Sequence, residues 1–193
     1  MQREIISIRE ATLNDYHDVY EWLYYSDFSD LLNRVQGITP DLIPTFEGFK
    51  NEYYPYFFDG SAKEKGQSFM IKLNDKTVGH ISYTSFHALE GITEFDIWLK
   101  GLEYTGKGIG TKAIELLAAK MFEKGYSTII IRPSKENIRA IKAYKKAGFK
   151  ECELILKDYY KPEFIDLYGD GDCGKDNDLF LVLKNNTLYS INH

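Results

Sequence analysis

The segment Thr105-Gly106-Lys107-Gly108-Ile109-Gly110-Thr111 joins a strand-like run, residues 93–99, to a helix-like run, residues 109–124. Its three glycines stand at alternate positions, which lets the backbone come close to a bulky anion. Backbone N–H groups at the start of a helix, together with the helix dipole, bind phosphate without a particular side chain. The segment therefore predicts a loop that holds the phosphates of a cofactor.

Other interpretations of this loop compete. A Walker A loop has the form Gly-x4-Gly-Lys-Ser/Thr, and Gly101 with Gly106-Lys107 begins to match it. Gly108 follows where the hydroxyl that binds magnesium would stand, and this opposes an NTPase. A dinucleotide-binding loop needs a third glycine at the position of Thr111. The loop alone also leaves open a glycine-rich turn that binds no ligand.

A second motif lies downstream, in residues 130–149. Asn137 and Tyr144 are seven residues apart, about two helical turns, so they share one face of a predicted helix. Gly148 follows at a position that commonly ends a helix. Together, the order of strand, Gly-x-Gly helix, strand, Asn-x6-Tyr helix and Gly-Phe resembles the GNAT family of acetyl-CoA-dependent N-acetyltransferases. The resemblance extends over residues 3–157, although the family's loop usually has Gln or Arg at the position of Thr105.

Short motifs along the chain are similar to those of aminoglycoside 6′-N-acetyltransferases within this family. They are Tyr20-Glu21-Trp22-Leu23, Glu52-Tyr53-Tyr54-Pro55, Val78-Gly79-His80, Asp96 ten residues before Gly106, and Pro133-Ser134. Some of these enzymes have an acid in place of Arg132. The resemblance implies acetyl transfer to the 6′-amine of an aminoglycoside-type antibiotic. The alternatives left open are a protein N-terminus, a polyamine or another small amine, and a CoA-binding sensor without catalysis.

The pattern of elements agrees with an α/β fold. Predicted strands cover residues 5–9, 69–73, 77–85, 93–99, 126–132, 150–158 and 179–184, and predicted helices begin at Thr12, Thr39, Ile109 and Asn137. The resemblance implies the GNAT fold, a central mixed, mostly antiparallel sheet that is splayed between two parallel strands and flanked by helices. At 193 residues the chain fits a single acetyltransferase domain, residues 1–193, with an acidic insertion at about 159–178.

The resemblance assigns acetyl-CoA, the implied cofactor, to two parts of the chain. Its pantetheine arm would bond to the backbone of Ile97, Trp98 and Leu99, in the gap beside the parallel strand. Its pyrophosphate would lie on a cofactor-binding set consisting of Thr105, Gly106, Lys107, Gly108, Ile109, Gly110 and Thr111. Asn137 would hydrogen-bond the cofactor, unless it serves only as a helix cap.

Two residues are the predicted catalytic groups. Alternation along the strand places Glu94, Asp96 and Trp98 on one face. By resemblance, Asp96 anchors the reacting amine and helps to remove its proton, and a local salt bridge is the alternative. Tyr144, which would also contact the cofactor, is the candidate acid for the departing thiolate, because a phenol with a pKa of ~10 is protonated at neutral pH. Its alternative role is that of a core aromatic.

The acceptor pocket is expected to combine aromatic and acidic side chains, because aromatic faces accept both cations and sugar rings. The predicted substrate-binding residues are Glu21, Trp22, Tyr54, Tyr83, Glu94, Asp96 and Asp178. The predicted partner is therefore a small cationic amine.

Composition limits the other classes of function. A net charge of −5 opposes broad nucleic-acid binding and suits a cationic substrate, although ordinary solubility explains it equally well. With no apolar run long enough to span a membrane and no signal-like start, a cytoplasmic protein is expected. Cys152 and Cys173 suggest no disulfide framework, and His80 and His87 lack metal-ligand spacing, so no metal is predicted. The sequence leaves the oligomeric state open.

Overall fold

The computed structural model describes residues 4–27, 29, 39–171 and 177–185. Within these residues seven strands form one sheet: β1 (Ile6–Glu10), β2 (Gly66–Leu73), β3 (Lys76–Thr84), β4 (Ile92–Leu99), β5 (Thr128–Ile131), β6 (Lys150–Glu151) and β7 (Leu181–Lys184). The α-helices are α1 (Tyr16–Tyr24), α2 (Phe46–Glu52), α3 (Tyr56–Asp59), α4 (Ile109–Glu123), α5 (Ile138–Lys146) and α6 (Ile165–Tyr168). Short 3-10 turns include Leu13–Asp15, Pro40–Leu42, Leu102–Tyr104, Leu156–Asp158 and Pro162–Phe164.

The strands follow the order β1-β2-β3-β4-β5-β7-β6 across the sheet. Every neighbouring pair is antiparallel except β4 and β5, which are parallel. The tight β2–β3 hairpin turns at Asn74, whose φ of 53° lies in the left-handed region that Asn tolerates. The predicted mixed, mostly antiparallel sheet is confirmed.

The sheet opens between its two parallel strands. β4 pairs with β5 only from Ile92 to Glu94, opposite Thr128 to Ile130, although β4 continues to Leu99. β5 ends at Ile131, and Pro133 follows shortly after it, where a proline cannot donate a ladder hydrogen bond. The far half of β4 is therefore left without its parallel neighbour, as the predicted splay requires.

Apolar side chains cover both faces of the sheet. On one face α4 buries the stripe Ala113, Ile114, Leu117, Ala118 and Met121, whose spacing of three and four residues is that of one helix face. On the other face lies an aromatic cluster that includes Tyr16, Tyr20, Trp22, Phe49, Phe57, Phe58 and Trp98. Among the described residues, no helix is both long and apolar enough to cross a membrane.

One predicted strand is largely wrong. Residues 150–158 alternate like a strand, but only Lys150–Glu151 pairs with β7, and a 3-10 turn follows at Leu156–Asp158. The partner segment keeps the β5–β7 register before β7, because Leu179 N donates to Pro133 O and Lys135 N donates to Asn177 O. Cys152 N still donates to Phe180 O, and residues 153–158 then diverge from this partner into the 3-10 turn. The predicted helical segment 39–57 is also divided, into a 3-10 turn, α2 and α3.

Candidate active site

A cavity of about 630 Å³ lies where β4 and β5 separate. Strand β4 contributes Glu94, Phe95, Asp96, Ile97 and Trp98 to its lining, and the segment after β5 contributes Arg132, Pro133, Ser134 and Asn137. Further lining comes from Tyr24, Glu52, Tyr53, Tyr54, Phe86, His87, Tyr144, Leu167 and Tyr168. The cavity therefore collects side chains from both halves of the sheet and from helices on both of its faces.

The glycine-rich loop forms an open cradle at the start of α4. Gly106 and Gly108 have φ values of 72° and 78°, which disfavour any residue with a Cβ. A Cβ built at either glycine would meet no atom within 4 Å, so the space above the loop is clear. The first N–H groups of α4 have no partner within the helix and point out of its start. The loop can therefore receive an anion by backbone contacts.

Two side chains of the predicted cofactor set face the core instead. Ile109 and Thr111 are 2% and 7% exposed, and Ile109 belongs to the core cluster under α4. Thr111 Oγ1 donates to Ala143 O at 3.4 Å, which ties the first turn of α4 to α5. These two residues can contact a ligand only through their backbone, as can Gly110. Lys107 is exposed at the tip of the loop.

Arg139 is a residue at this loop that the sequence did not single out. Its Nη1 donates to Thr105 Oγ1 at 3.0 Å, and that hydroxyl in turn donates to Leu102 O at 2.7 Å. A guanidinium from α5 thus lies beside the position where the resemblance predicts Gln or Arg. The signal in the sequence was that Arg139 stands two residues after Asn137, in the first turn of a predicted helix.

Beyond Glu94, the backbone edge of β4 at the cavity is not paired with β5. Residues Ile97, Trp98 and Leu99 pair with β3 on one side, opposite Ile81, His80 and Gly79. In such a ladder, alternate residues direct their N–H and C=O groups to the other side, which β5 has left. Ile97 and Trp98 line the cavity, whereas Leu99 lies beyond its lining, 8% exposed, with its side chain in the core under α4.

The two predicted catalytic groups line the same cavity. Tyr144 is 7% exposed, and its burial together with the negative charge of Asp96 raises the pKa of its phenol. Asp96 is an exposed residue of β4. Tyr144 also packs with Phe149, at 6.4 Å between ring centroids, so it is a core aromatic as well as a cavity residue. The phenol therefore lies within electrostatic range of the strand carboxylate.

Asn137 is the N-cap of α5. Its Oδ1 accepts a hydrogen bond from Ala140 N at 3.1 Å, which is the helix-capping role that the sequence left open. Asn137 also lines the cavity. The capping bond uses only Oδ1 and not the amide nitrogen, so the capping role and a ligand contact are compatible.

Glu94 anchors a polar network at one side of the cavity. Its Oε2 accepts from Tyr160 OH at 3.1 Å and lies 2.8 Å from His87 Nε2. His87 is 2% exposed and stacks between Tyr160 and Tyr168, at centroid distances of 5.4 Å and 4.7 Å. Glu94 thus lines the cavity with its carboxylate oriented by two buried rings.

The structure places three predicted acceptor residues outside this cavity. Tyr83 pairs with Phe95 in register, so it lies on the face opposite Asp96, 1% exposed, with its hydroxyl donating to Lys63 O at 2.6 Å. Trp22 is buried in the aromatic cluster, with Lys100 Nζ 5.5 Å from its ring centroid. Glu21, next to it on α1, faces away, 3.9 Å from His17.

Asp178 is also placed differently from the prediction. It is buried, forms an isolated bridge with Ser134, and lies 3.4 Å from Arg132 Nη2. Its charge therefore serves an internal ion pair instead of facing an acceptor. Tyr54, by contrast, lines the cavity and is 49% exposed. Of the acidic insertion, Asp172 and Asp176 lie outside the described residues.

Glu52 is an acidic cavity residue that the sequence motifs contained but the prediction omitted. It stands at the end of α2 and lines the cavity with Glu94 and Asp96. The motif Glu52-Tyr53-Tyr54-Pro55 was the available signal, since Tyr54 in the same motif was already a candidate. Within the described part of the chain, no three His, Cys, Asp or Glu side chains are arranged to hold a metal ion.

Comparisons with known proteins agree with this geometry. An aminoglycoside N(6′)-acetyltransferase type 1 from Klebsiella pneumoniae is 28% identical over 156 residues, which cover 75% of this chain and 74% of that protein. A kanamycin resistance protein from Rhizobium radiobacter is 39% identical over 61 residues, 31% of this chain and 56% of that protein. The crystal structure of aminoglycoside acetyltransferase AAC(6′)-Ib with coenzyme A and kanamycin has a TM-score of 0.67. It is 21% identical, with 98% of this chain and 100% of that chain covered.

A structure of spermidine N-acetyltransferase from Vibrio cholerae with CoA and spermine has a TM-score of 0.65 at 13% identity, and covers 93% of this chain and 95% of that chain. At such identities these structures establish the fold. The model of the acetyltransferase (GNAT) family matches residues 18–149, a range that contains β4, the glycine-rich loop, Asn137 and Tyr144. This chain therefore belongs to the GNAT family of acetyltransferases.

Proposed function

We propose that this chain is an acetyl-CoA-dependent N-acetyltransferase whose acceptor is the 6′-amine of an aminoglycoside-type antibiotic. The observation that carries the proposal is the convergence of Asp96 and Tyr144 in one cavity at the open edge of β4. The curated relative from Klebsiella pneumoniae, named for this reaction, supports the choice of acceptor.

The site fits acetyl-CoA on three structural grounds. Gly106 and Gly108 hold the loop open above the start of α4, where N–H groups and the helix dipole favour phosphate. Arg139 adds a positive charge beside the loop. The edge of β4 beyond Glu94 offers backbone groups to an extended amide chain. We infer that these groups hold the pyrophosphate and the pantetheine arm.

Bound acetyl-CoA supplies a thioester carbon to be attacked and a thiolate to be released. We assign Tyr144 to protonation of the departing sulfur, because its raised pKa keeps the phenol protonated at neutral pH. We assign Asp96 to holding the reacting ammonium and accepting the proton that it must lose before attack. Since Asp96 is exposed, that proton can pass on to water.

The acceptor part of the cavity has the chemistry of a polycation site. Glu52, Glu94 and Asp96 line it with carboxylates, and Tyr54 and Tyr168 add aromatic surface. Arg132 also borders the cavity, but its guanidinium is held by backbone carbonyls. Several ammonium groups on one acceptor would each gain from this negative lining, and their binding should weaken as salt rises.

The experiment compares acceptors that differ at one position. Purified protein with acetyl-CoA is given kanamycin-type aminoglycosides with a 6′-amine or a 6′-hydroxyl, and spermidine or a peptide with a free N-terminus, while thiol release is followed. We expect turnover only with the 6′-amine compounds. Equal reaction of the 6′-hydroxyl analogues would contradict the regiochemistry, and reaction of spermidine or peptide alone would contradict the acceptor class.

A variant ties the result to the site. Asp96→Asn keeps the shape and loses the charge, so acetylation should fall by about 10²-fold or more while CoA affinity is unchanged. Bacteria that express the wild-type chain should tolerate 6′-amine aminoglycosides at higher concentration than those that express Asp96→Asn. Equal tolerance in the two strains would contradict a role in antibiotic resistance.

A further inference from the structure

Residues 159–171 form one wall of the cavity. Their own secondary structure is too short to fix the position of this wall. Leu167, Tyr168 and Gly171 line the cavity, yet α6 has only four residues and Leu167 is 75% exposed. A helix this short is not stable by itself in water. Contacts from elsewhere in the chain must fix its position.

Arg132 supplies these contacts with a buried, forked side chain. The side chain is 4% exposed, its Nη1 donates to Tyr168 O at 2.5 Å, and its Nη2 donates to Gly169 O at 2.8 Å. These carbonyls lie at the end of α6, where helix carbonyls lack intrahelical partners. Nη1 also lies 3.3 Å from Tyr160 OH, and Nη2 lies 3.4 Å from Asp178 Oδ2. A planar guanidinium can bond in all these directions, and an ammonium cannot.

The chain passes very close to this ion pair at Gly171. A Cβ on Gly171 would collide with the Asp178 carboxylate and the Arg132 guanidinium, and its φ of 65° is left-handed. The close approach leaves no room for a side chain at this end of the wall. The position of the wall thus depends on the Arg132–Asp178 ion pair and on the absence of a side chain at Gly171.

The wall places the ring of Tyr168 against the groups that face the acceptor. This ring stacks on His87 at 4.7 Å with an interplanar angle of 16°, and meets Phe86 edge-on at 5.6 Å. His87 in turn lies 2.8 Å from Glu94, the carboxylate proposed to bind the acceptor. Tyr168 remains 37% exposed, so part of it can contact a bound molecule.

We propose that Arg132 is a positioning residue that sets acceptor affinity by fixing Tyr168 as an aromatic wall of the cavity. The inference rests on the proposed acetyl transfer, but not on the identity of the amine. Arg132 acts through the wall, because its guanidinium is occupied by the carbonyls of Tyr168 and Gly169. The positive charge of Arg132, where some of the similar enzymes have an acid, therefore stabilises the wall of the cavity.

A double-mutant cycle tests the proposal, using whichever amine the wild-type enzyme acetylates fastest. Arg132→Lys keeps the charge opposite Asp178 but loses the fork, and Tyr168→Ala removes the ring. Each change should raise the acceptor KM about tenfold, equivalent to about 1.4 kcal/mol. The acceptor KM of the double variant should be no higher than that of the more impaired single variant, because the two residues act as one unit. Tyr168→Phe, which keeps the ring, should retain the wild-type KM.

The remaining readouts separate this role from a general structural one. The KM for acetyl-CoA and the kcat should stay within about twofold in all variants. The proposal would be overturned if the two increases in acceptor KM multiply in the double variant. It would also be overturned if Arg132→Lys leaves the acceptor KM unchanged, or if the KM for acetyl-CoA rises equally. If Arg132→Lys is unfolded by its melting curve, Gly171→Ala replaces it in the cycle with the same expected result. Failure of aminoglycoside acetylation alone leaves this cycle intact, since it is run on the preferred amine.

Discussion

Tyr144 is held in its protonated form by its surroundings. Burial and the nearby charge of Asp96 both disfavour the phenolate and raise its pKa, so the phenol remains a proton donor across the neutral range. A donor of this kind matters only when the sulfur departs. Its removal should therefore affect turnover and spare binding.

Tyr144→Phe tests this expectation, because it removes the hydroxyl and keeps the ring that packs on Phe149. We expect kcat to fall by about 10²-fold or more, with the Kd for acetyl-CoA little changed. Stopped-flow measurement of thiol release and calorimetric titration with CoA give the two quantities. Wild-type turnover, with chemistry shown to be rate-limiting, would remove Tyr144 from the mechanism.

At the residue scale, sequence identified the groups on β4 better than those on the helices. Strand alternation correctly separates Asp96 from Phe95, but it does not show which side of the neighbouring strand faces the cavity. Tyr83 pairs with Phe95 and therefore shares the core face under α4. Trp22 lies in the aromatic cluster outside the cavity lining, and a helix with aromatics on several sides gives no single direction for its buried stripe.

At the scale of elements, the start of α4 depends on backbone conformation. Gly108, the residue before the helix, has a φ of 78° and open space around its missing Cβ. Gly125, just after the same helix, has a φ of 93° and equally open space. The two glycines carry the same conformational demand, and only Gly108 adjoins the predicted phosphate contact.

Gly108→Ala and Gly125→Ala form a matched pair. Each should lower the free energy of unfolding by about 1–2 kcal/mol, because an L-residue is strained at such φ values. Only Gly108→Ala should also weaken CoA binding, since its Cβ would stand in the path of the pyrophosphate. Urea denaturation and CoA titration measure the two effects. Equal CoA affinity in both variants would exclude the loop as the phosphate site.

Some elements could be predicted from the sequence, and others could not. The loop, α4 and α5 were predictable because caps, glycines and helical spacing are local signals. The end of β6 was not, because Leu154 and Leu156 pack there with Ile130 and Phe180, which are distant in sequence. Likewise, the role of Arg132 depends on Tyr168, which is distant in sequence.

For the whole molecule, His80 links stability to pH. It is fully buried beside Trp98, at 4.3 Å between ring centroids, and desolvation lowers its pKa to about 3. Below its unfolded pKa of about 6.5, the unfolded chain binds a proton that the folded chain does not. Stability should therefore fall as the pH drops from 6.5 towards 3, by about 1.4 kcal/mol per pH unit from this residue.

His80→Phe tests that linkage with a ring that does not titrate. Between pH 6.5 and pH 5, the variant should lose about 2 kcal/mol less unfolding free energy than the wild type. Urea unfolding at the two pH values, with far-UV circular dichroism as the probe, measures the difference. The same pH slope in both proteins would assign the acid sensitivity to other groups.

The short parallel contact between β4 and β5 has a mechanical consequence. Two leaves of sheet, β1 to β4 and β5 to β7, meet along a seam from Ile92 to Glu94, opposite Thr128 to Ile130. A molecule that bonds to the free edge of β4 extends this seam and acts as a missing strand. CoA should therefore slow amide hydrogen exchange in residues 95–99 and stiffen the leaves against each other. Bound acetyl-CoA would then form part of the site that the amine enters, and acetyl-CoA would therefore bind before the acceptor.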